Sequence, residues 1–147
     1  MKLSTKGRYG LRAMVDIAVY SQDSPISAIA ERQNISVRYL EQLLPKLKKA
    51  GIIKSIRGAQ GGYMLDKDPK DISAGDILRT LEGDLTPIDC AAFTGDTSTC
   101  SGTKFCVTKT VWKRINDSVQ QAVDSITLQE LMEESIEIHT KYDQEER

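Results

Sequence analysis

Residues 26–66 read ISAIAERQNISVRYLEQLLPKLKKAGIIKSIRGAQGGYMLD, and the fold is decided in that stretch. Ser36 is a favourable N-cap. From it the spacing of Leu40, Leu43, Leu44 and Leu47 predicts a helix with one apolar face. Gly51 suits the left-handed position just past a helix end. Upstream, ISAIAERQ predicts a shorter helix over 26–33, stopped at Asn34. Downstream, IIKSIR and YMLD are two short strand-like runs around Gly58, Ala59, Gln60, Gly61 and Gly62, a β-hairpin in outline. That Gly-rich loop is not followed by a helix and has no Lys-Ser or Lys-Thr pair after its last glycine, so a phosphate cradle is a poor reading of it.

Before this stretch, Leu11, Met14, Val15 and Ala18 recur at helical spacing and predict a helix over 5–22, ended by the turn QDSP. Helix, short helix, turn and helix, followed by a hairpin, is the order of a winged helix-turn-helix. After the hairpin, Ser73 and Asp76 form a capping box for SAGDILRTLE, ended by Gly83. Residues 84–105 have no period and predict a long loop, a length that in a compact domain usually serves function. From 106 onward Val107, Val111, Ile115, Val119, Ala122 and Ile126 make an apolar stripe over about five helical turns. Thr127 and Glu130 then suggest a second capping box for TLQELMEESIEI, and HTKYDQEER is a polar, frayed end. The expected divisions are a winged helix-turn-helix over 1–83, a cysteine-bearing loop over 84–105, dimerisation helices over 106–139 and a polar tail over 140–147. The fold class is mostly α.

The 147 residues, 39% hydrophobic and 28% charged, suit one domain with a single core. No run approaches the roughly 18 uncharged apolar residues of a membrane helix. Lys2, Lys6, Arg8, Arg12 and Asp16 interrupt what would be the apolar centre of a secretory signal. A cytoplasmic protein with no membrane partner is expected. Charge is segregated: residues 1–67 hold 12 Lys or Arg against 5 Asp or Glu, a net of +7, whereas residues 68–147 hold 8 against 16, a net of −8. A basic half joined to an acidic half fits nucleic-acid binding by one half alone.

The helix after Ser36 turns Arg38, Gln42 and Lys49 away from its leucines, with Tyr39 and Glu41 at the flanks. In a major groove Arg pairs with guanine and Gln with adenine, Glu accepts from the cytosine amino group, and Tyr meets phosphate or a thymine methyl. Arg57, at the base of the wing, is placed for a narrow minor groove. Lys2, Lys6, Arg8, Lys46, Lys48 and Lys54 are candidates for phosphate contacts, which set affinity rather than sequence preference. Any solvated helix face carries such residues singly; their conjunction with a wing and a basic half makes DNA binding the preferred reading.

The segments KLSTKGRYGLRAMVDIA, ISVRYLEQLLPKLKKAGIIKSIRGAQGGYML and ISAGDILRTLEG resemble the Rrf family of winged-helix repressors over nearly the whole chain. The resemblance implies a symmetric homodimer, seamed along the long helix after the cysteine loop, that binds a pseudo-palindromic operator in double-stranded DNA. Ser36, Arg38, Tyr39, Glu41, Gln42 and Arg57 match the family's DNA-contacting helix and wing by position.

Cys90, Cys100 and Cys106 fall within one 17-residue window, and the rest of the chain has no cysteine. An odd count argues against a disulfide framework, and the gaps of nine and five residues fit no zinc ribbon or finger. Three thiolates in a loop ahead of a helix are able to ligate an iron-sulfur cluster. On spacing alone, ordinary thiols, one of them redox-reactive, are the slightly better reading. The resemblance turns the balance, because the family's iron-sulfur branch carries three cysteines in this loop and a tryptophan where this chain has Trp112. The fourth ligand departs from the family: Lys109 stands where some members supply a histidine, and Arg8 where others supply an acidic residue from the partner subunit. Asp89, Asp96, Thr108, His139, an exogenous thiol or an open iron site are the alternatives. A 2Fe-2S and a 4Fe-4S cluster both stay open, although three cysteines with one open iron suit 4Fe-4S better.

The function expected is a DNA-binding transcriptional regulator, a repressor, whose operator affinity is controlled by an iron-sulfur cluster. The alternative is a cluster-free repressor of sulfur or cysteine metabolism within the same family, controlled by thiol oxidation or a partner protein. An enzyme is not expected: there is no CxxC pair, the single histidine is far from the cysteines in sequence, and no acid-base constellation surrounds the thiols.

Overall fold

The computed structural model describes residues 2–22, 24–90, 100 and 105–147. Helix α1 spans Thr5–Val19, α2 Ile26–Gln33 and α3 Val37–Lys49. Strands β1, Ile53–Ser55, and β2, Tyr63–Leu65, form the wing, and after a 3₁₀ turn at Pro69–Asp71 come α4, Ala74–Glu82, α5, Lys109–Ser125, and α6, Leu128–Glu145. This is the mostly helical winged helix-turn-helix expected.

The local signals act as read. Asn34 adopts a left-handed conformation at φ 53° and closes α2. The Ser36 hydroxyl accepts from the Tyr39 N–H at 3.1 Å and starts α3, whose four leucines are buried. Pro45 sits inside α3 on its exposed side, so the bond its missing N–H would make to the Glu41 carbonyl is lost where water replaces it. The capping box at α4 is complete, with Asp76 N–H to Ser73 Oγ and Ser73 N–H to Asp76 Oδ2 both at 3.0 Å.

The wing strands are shorter than the runs that announce them and pair antiparallel, Ile53 with Leu65, Lys54 with Met64 and Ser55 with Tyr63. The wing is fastened to the body where the Tyr63 N–H donates to the Ser24 carbonyl at 3.1 Å. Gly62, at φ +120°, lies so close to that carbonyl that a Cβ would sit 2.5 Å from its oxygen. Ser24 also explains why α1 stops three residues before position 22: its hydroxyl donates to the Tyr20 carbonyl at 3.0 Å and satisfies the terminal turn.

Met14 and Ile17 of α1, Ile29 of α2, the leucines of α3, Ile53 of β1, Ile72, Ile77 of α4 and Leu128 of α6 form one core. Asp16, on α1, is buried among them and held by Arg32 Nη2 at 2.7 Å, Arg32 Nε at 3.0 Å and Gln33 Nε2 at 3.0 Å. The Arg32 guanidinium also stacks 4.0 Å from the centre of the Tyr20 ring. The first turn of α6 is pinned beside α4, with Ala74 N–H to Ile126 O and Leu128 N–H to Ile72 O both at 2.8 Å. Thr127 caps α6 through the Glu130 N–H, and the helix continues through Glu145, past the point at 139 where the sequence sets a polar tail.

Helices α1 and α4 approach closely at Gly7 and Gly10. A Cβ on Gly10 would overlap Leu81 Cδ1, and one on Gly7 would lie 2.7 Å from Glu82 Oε1. Overpacking of this kind costs about 1–3 kcal/mol, more than the roughly 1 kcal/mol that alanine gains over glycine in a helix. Gly10→Ala should therefore lower the thermal unfolding midpoint although it replaces the poorer helix former; an unchanged or raised midpoint would refute the close α1–α4 packing.

Candidate DNA-reading surface and cysteine loop

With Leu40, Leu43, Leu44 and Leu47 buried, α3 leaves Arg38, Glu41, Gln42 and Lys49 exposed, as their spacing requires. Ser36 is exposed at the helix start, its hydroxyl accepting from the Tyr39 N–H. Tyr39 is different. It is half-buried, its ring edge-on to Tyr9 at 5.8 Å between centroids and 89° between planes, and its hydroxyl shares a 3.0 Å hydrogen bond with Thr5 Oγ1. Part of its side chain thus braces α3 on α1. Tyr9 in turn lies under the Arg12 guanidinium, which donates to the Gln33 carbonyl at the end of α2.

Arg57 is exposed beyond β1, next to Gly58 at φ +143°. Lys2, Lys6, Arg8, Lys46, Lys48 and Lys54 are all exposed. Lys54 stands 3.9 Å from Asp66 with both side chains about half exposed, a pair worth little in water and readily exchanged for a phosphate.

The amino-terminal turn of α1, below Tyr39, is closed by Glu82 from α4. Glu82 Oε1 accepts from the Ser4 hydroxyl at 2.6 Å, the Gly7 N–H at 2.8 Å and the Ser4 N–H at 2.9 Å. These bonds, the Ser4 hydroxyl first, hold the Glu82 carboxyl below the usual carboxylate range. A carboxylate in the last turn of its own helix is disfavoured by the dipole there. That mismatch is a trace of this contact in the sequence.

Cys90 and Cys106 are half-buried and Cys100 is exposed; all three are free thiols. Among the described residues no three His, Cys, Asp or Glu side chains are gathered closely enough to hold a metal ion. Residues 91–99 and 101–104, and with them Asp96, lie outside the described residues. Cys106 precedes α5 by three residues; its Sγ is 3.1 Å from Thr108 Oγ1. That hydroxyl, then the backbone N–H groups of Lys109 and Thr108, lower the Cys106 thiol below its ordinary value and favour the thiolate. Of the other ligand candidates, Thr108 is the Cys106 partner and Asp89 is exposed beside Cys90. His139 lies on α6, its Nδ1 2.7 Å from the Ser135 carbonyl, in a cleft lined by Val15, Arg32 and Gln33.

The segment that carries the cysteines joins α4 to α5, and these two helices are clamped together. Arg79 donates to Asp124 Oδ1 at 2.6 Å, Asp124 Oδ2 at 2.9 Å and Gln120 Oε1 at 2.6 Å, while a Cβ on Gly75 would overlap Asp124. The hydrogen-bonded pair raises the Arg79 pKa and lowers that of Asp124. All these contacts fall in the last third of α5. No residue of α5 is buried, and Val111 and Ile115 are 49% and 40% exposed along its apolar stripe. The stripe outruns the helix itself: Val107 and Ile126 flank it, and α5 starts at Lys109 rather than 106.

Residues 3–134 match the Rrf2 family, described as an iron-dependent transcriptional regulator. The chain is 44% identical to the HTH-type transcriptional regulator CymR of Bacillus subtilis over 133 residues, 89% of each chain. It is 42% identical to the HTH-type transcriptional regulator IscR of Vibrio vulnificus over 147 residues, 97% of this chain and 85% of the relative. Among solved structures, CymR of B. subtilis, described as a global cysteine regulator, superposes with a TM-score of 0.74 at 41% identity, covering 90% of this chain and 97% of that one. IscR of T. potens superposes with a TM-score of 0.71 at 44% identity, covering 92% and 88%.

The exposed face of α3 generates a test. Arg38→Ala or Gln42→Ala should cost about 1–3 kcal/mol at a cognate site and relax base preference, whereas Lys6→Ala should weaken all sequences alike. A competition gel shift checks this, and an unchanged specificity ratio for Arg38→Ala would sink the assignment of α3 as the reading helix.

Proposed function

The chain belongs to the Rrf2 family of transcriptional regulators, and we propose that it is a homodimeric repressor whose operator affinity is set by an iron-sulfur cluster on Cys90, Cys100 and Cys106. The observation that carries this is the placement of three free thiols, one of them biased towards the thiolate, on the connection between the winged half and α5. The donor set suits iron: thiolates are its protein ligands in such clusters, and they persist reduced in the cytoplasm, where we place the protein. Ser36, Arg38, Glu41 and Gln42 read base edges in this proposal, Tyr39 and the lysines meet the backbone, and Arg57 enters the minor groove.

Bound there, a cluster supplies a redox- and iron-sensitive crosslink. Joined through such a group, Cys90, Cys100 and Cys106 would limit the freedom of the connection between α4 and α5. Two α3 helices in a dimer must meet half-sites about one DNA turn apart, so a constraint on that connection changes operator affinity if it favours one spacing over another. Anaerobically purified protein should show visible absorbance with iron and acid-labile sulfide, and each Cys→Ala variant should lose it while the winged half stays folded. Colourless protein, with all three variants repressing as the wild type does, would refute the cluster.

That outcome leads to the second reading, a cluster-free repressor governed by thiol oxidation or a partner protein. It draws support from the bias of Cys106 towards the thiolate and from the likeness to CymR.

The dimer part of the proposal rests on the exposed stripe of α5. A helix of 17 residues, about 25 Å long, that buries none of them against its own chain is suited to an isologous seam. Asp at Val111 and Val119 should give monomers in sedimentation velocity. A monomeric wild type at micromolar concentration overturns this part.

A further inference from the structure

Tyr39 occupies the reading helix but spends its hydroxyl on Thr5, and Thr5 is the first residue of the turn that Glu82 closes. The contacts form one line. Glu82 ends α4 and is followed by Gly83, where the connection bearing the cysteines begins. Its carboxylate takes the Ser4 N–H, the Ser4 hydroxyl and the Gly7 N–H. Thr5, between them, meets the Tyr39 hydroxyl at 3.0 Å, and the Tyr39 N–H donates to Ser36 Oγ at the start of α3. Tyr9, one turn along α1, presses its ring against the same tyrosine. Ser36 and Tyr39 belong to the end of α3 that enters a groove first in helix-turn-helix docking.

We propose that Glu82 and Thr5 are positioning residues for DNA reading: Glu82 fixes the amino-terminal turn of α1, and Thr5 in that turn fixes Tyr39 and with it the first turn of α3. The proposal rests on α3 as the reading helix and deepens that reading. It commits the Tyr39 hydroxyl to Thr5 and leaves the rest of that side chain for the backbone contact. Bidentate base contacts tolerate little displacement, so an arginine whose helix start is loosened loses discrimination before the fold is lost.

The test uses the full-length protein as isolated anaerobically and a duplex selected by the wild type from randomised DNA, with a scrambled duplex as reference. Thr5→Val keeps the shape of the side chain and removes its hydroxyl. It should weaken binding to the selected duplex about two- to tenfold, the worth of one neutral hydrogen bond, and lower the ratio of selected to scrambled affinity. Thr5→Ser should restore both. Tyr39→Phe should lose the same amount, and the Thr5→Val, Tyr39→Phe double variant no more than either single one. Glu82→Ala should reproduce the effect without adding to that of Thr5→Val; if it fails to fold, the Thr5 and Tyr39 set decides alone. A role confined to stability would lower the melting midpoint and leave the affinity ratio at the wild-type value, and that overturns the proposal. So does a Tyr39→Phe loss with Thr5→Val unaffected, which assigns the tyrosine hydroxyl to DNA instead. Arg38→Ala, measured alongside, separates the two layers: if it leaves the ratio unchanged, both the reading helix and its positioning fall, whereas a relaxed ratio for Arg38→Ala with an intact one for Thr5→Val overturns the positioning alone.

Discussion

The close contact of α1 with α4 governs how the other elements are placed. Gly7 and Gly10 remove the side chains that would hold the two helices apart, and the space is filled by Leu81 and the Glu82 carboxylate. Because α1 then lies at a fixed distance from α4, its opposite flanks are free to receive α2 and α3 through Met14 and Ile17, and α6 through Leu128. The arrangement makes α1 a shared support for the reading helix and for the carboxyl-terminal helix. A change at either is felt by the other through one rigid element.

Asp16 shows a second kind of constraint. Burying a carboxylate costs several kcal/mol unless charge and hydrogen bonds compensate. Here Arg32 offers two nitrogens and Gln33 a third donor, and Tyr20 covers the guanidinium. Replacing a buried ion pair by apolar side chains of similar size is often neutral or stabilising; what this pair adds is a directional contact between α1 and the end of α2. Removing one partner alone leaves a buried charge and is the damaging change, of about 3–5 kcal/mol.

Local signals made most of the architecture legible in the sequence. Asn34, Ser36, the Ser73–Asp76 box and the leucine spacing of α3 each act over a few residues and place elements to within a residue or two. The departures have long-range causes. α1 stops early because Ser24 folds back onto Tyr20, and Tyr39 turns partly inward because Thr5 and Tyr9, some thirty residues away, lie against it. The exposed members of the candidate surface, Arg38, Glu41, Gln42 and Arg57, needed only helical periodicity and the position of the wing. The cysteine site is the reverse case: clustering in sequence marks the thiols, but spacing does not say how a loop closes, and no three ligand side chains gather among the described residues. Arg79 and Asp124 illustrate the general limit, since nothing in either neighbourhood announces a partner 45 residues away.

The placement of the Arg79 clamp makes α5 a lever. It grips Gln120 and Asp124, while Lys109, at the far end, is 15 residues from Asp124, about 22 Å along the axis. A rotation of about 5° about the clamp, small enough to leave a two-pronged guanidinium contact intact, carries that end through about 2 Å. Seen from Cys106 the gearing runs the other way: a displacement of about 2 Å at the cysteine end would reach α4 as a turn of only about 5°.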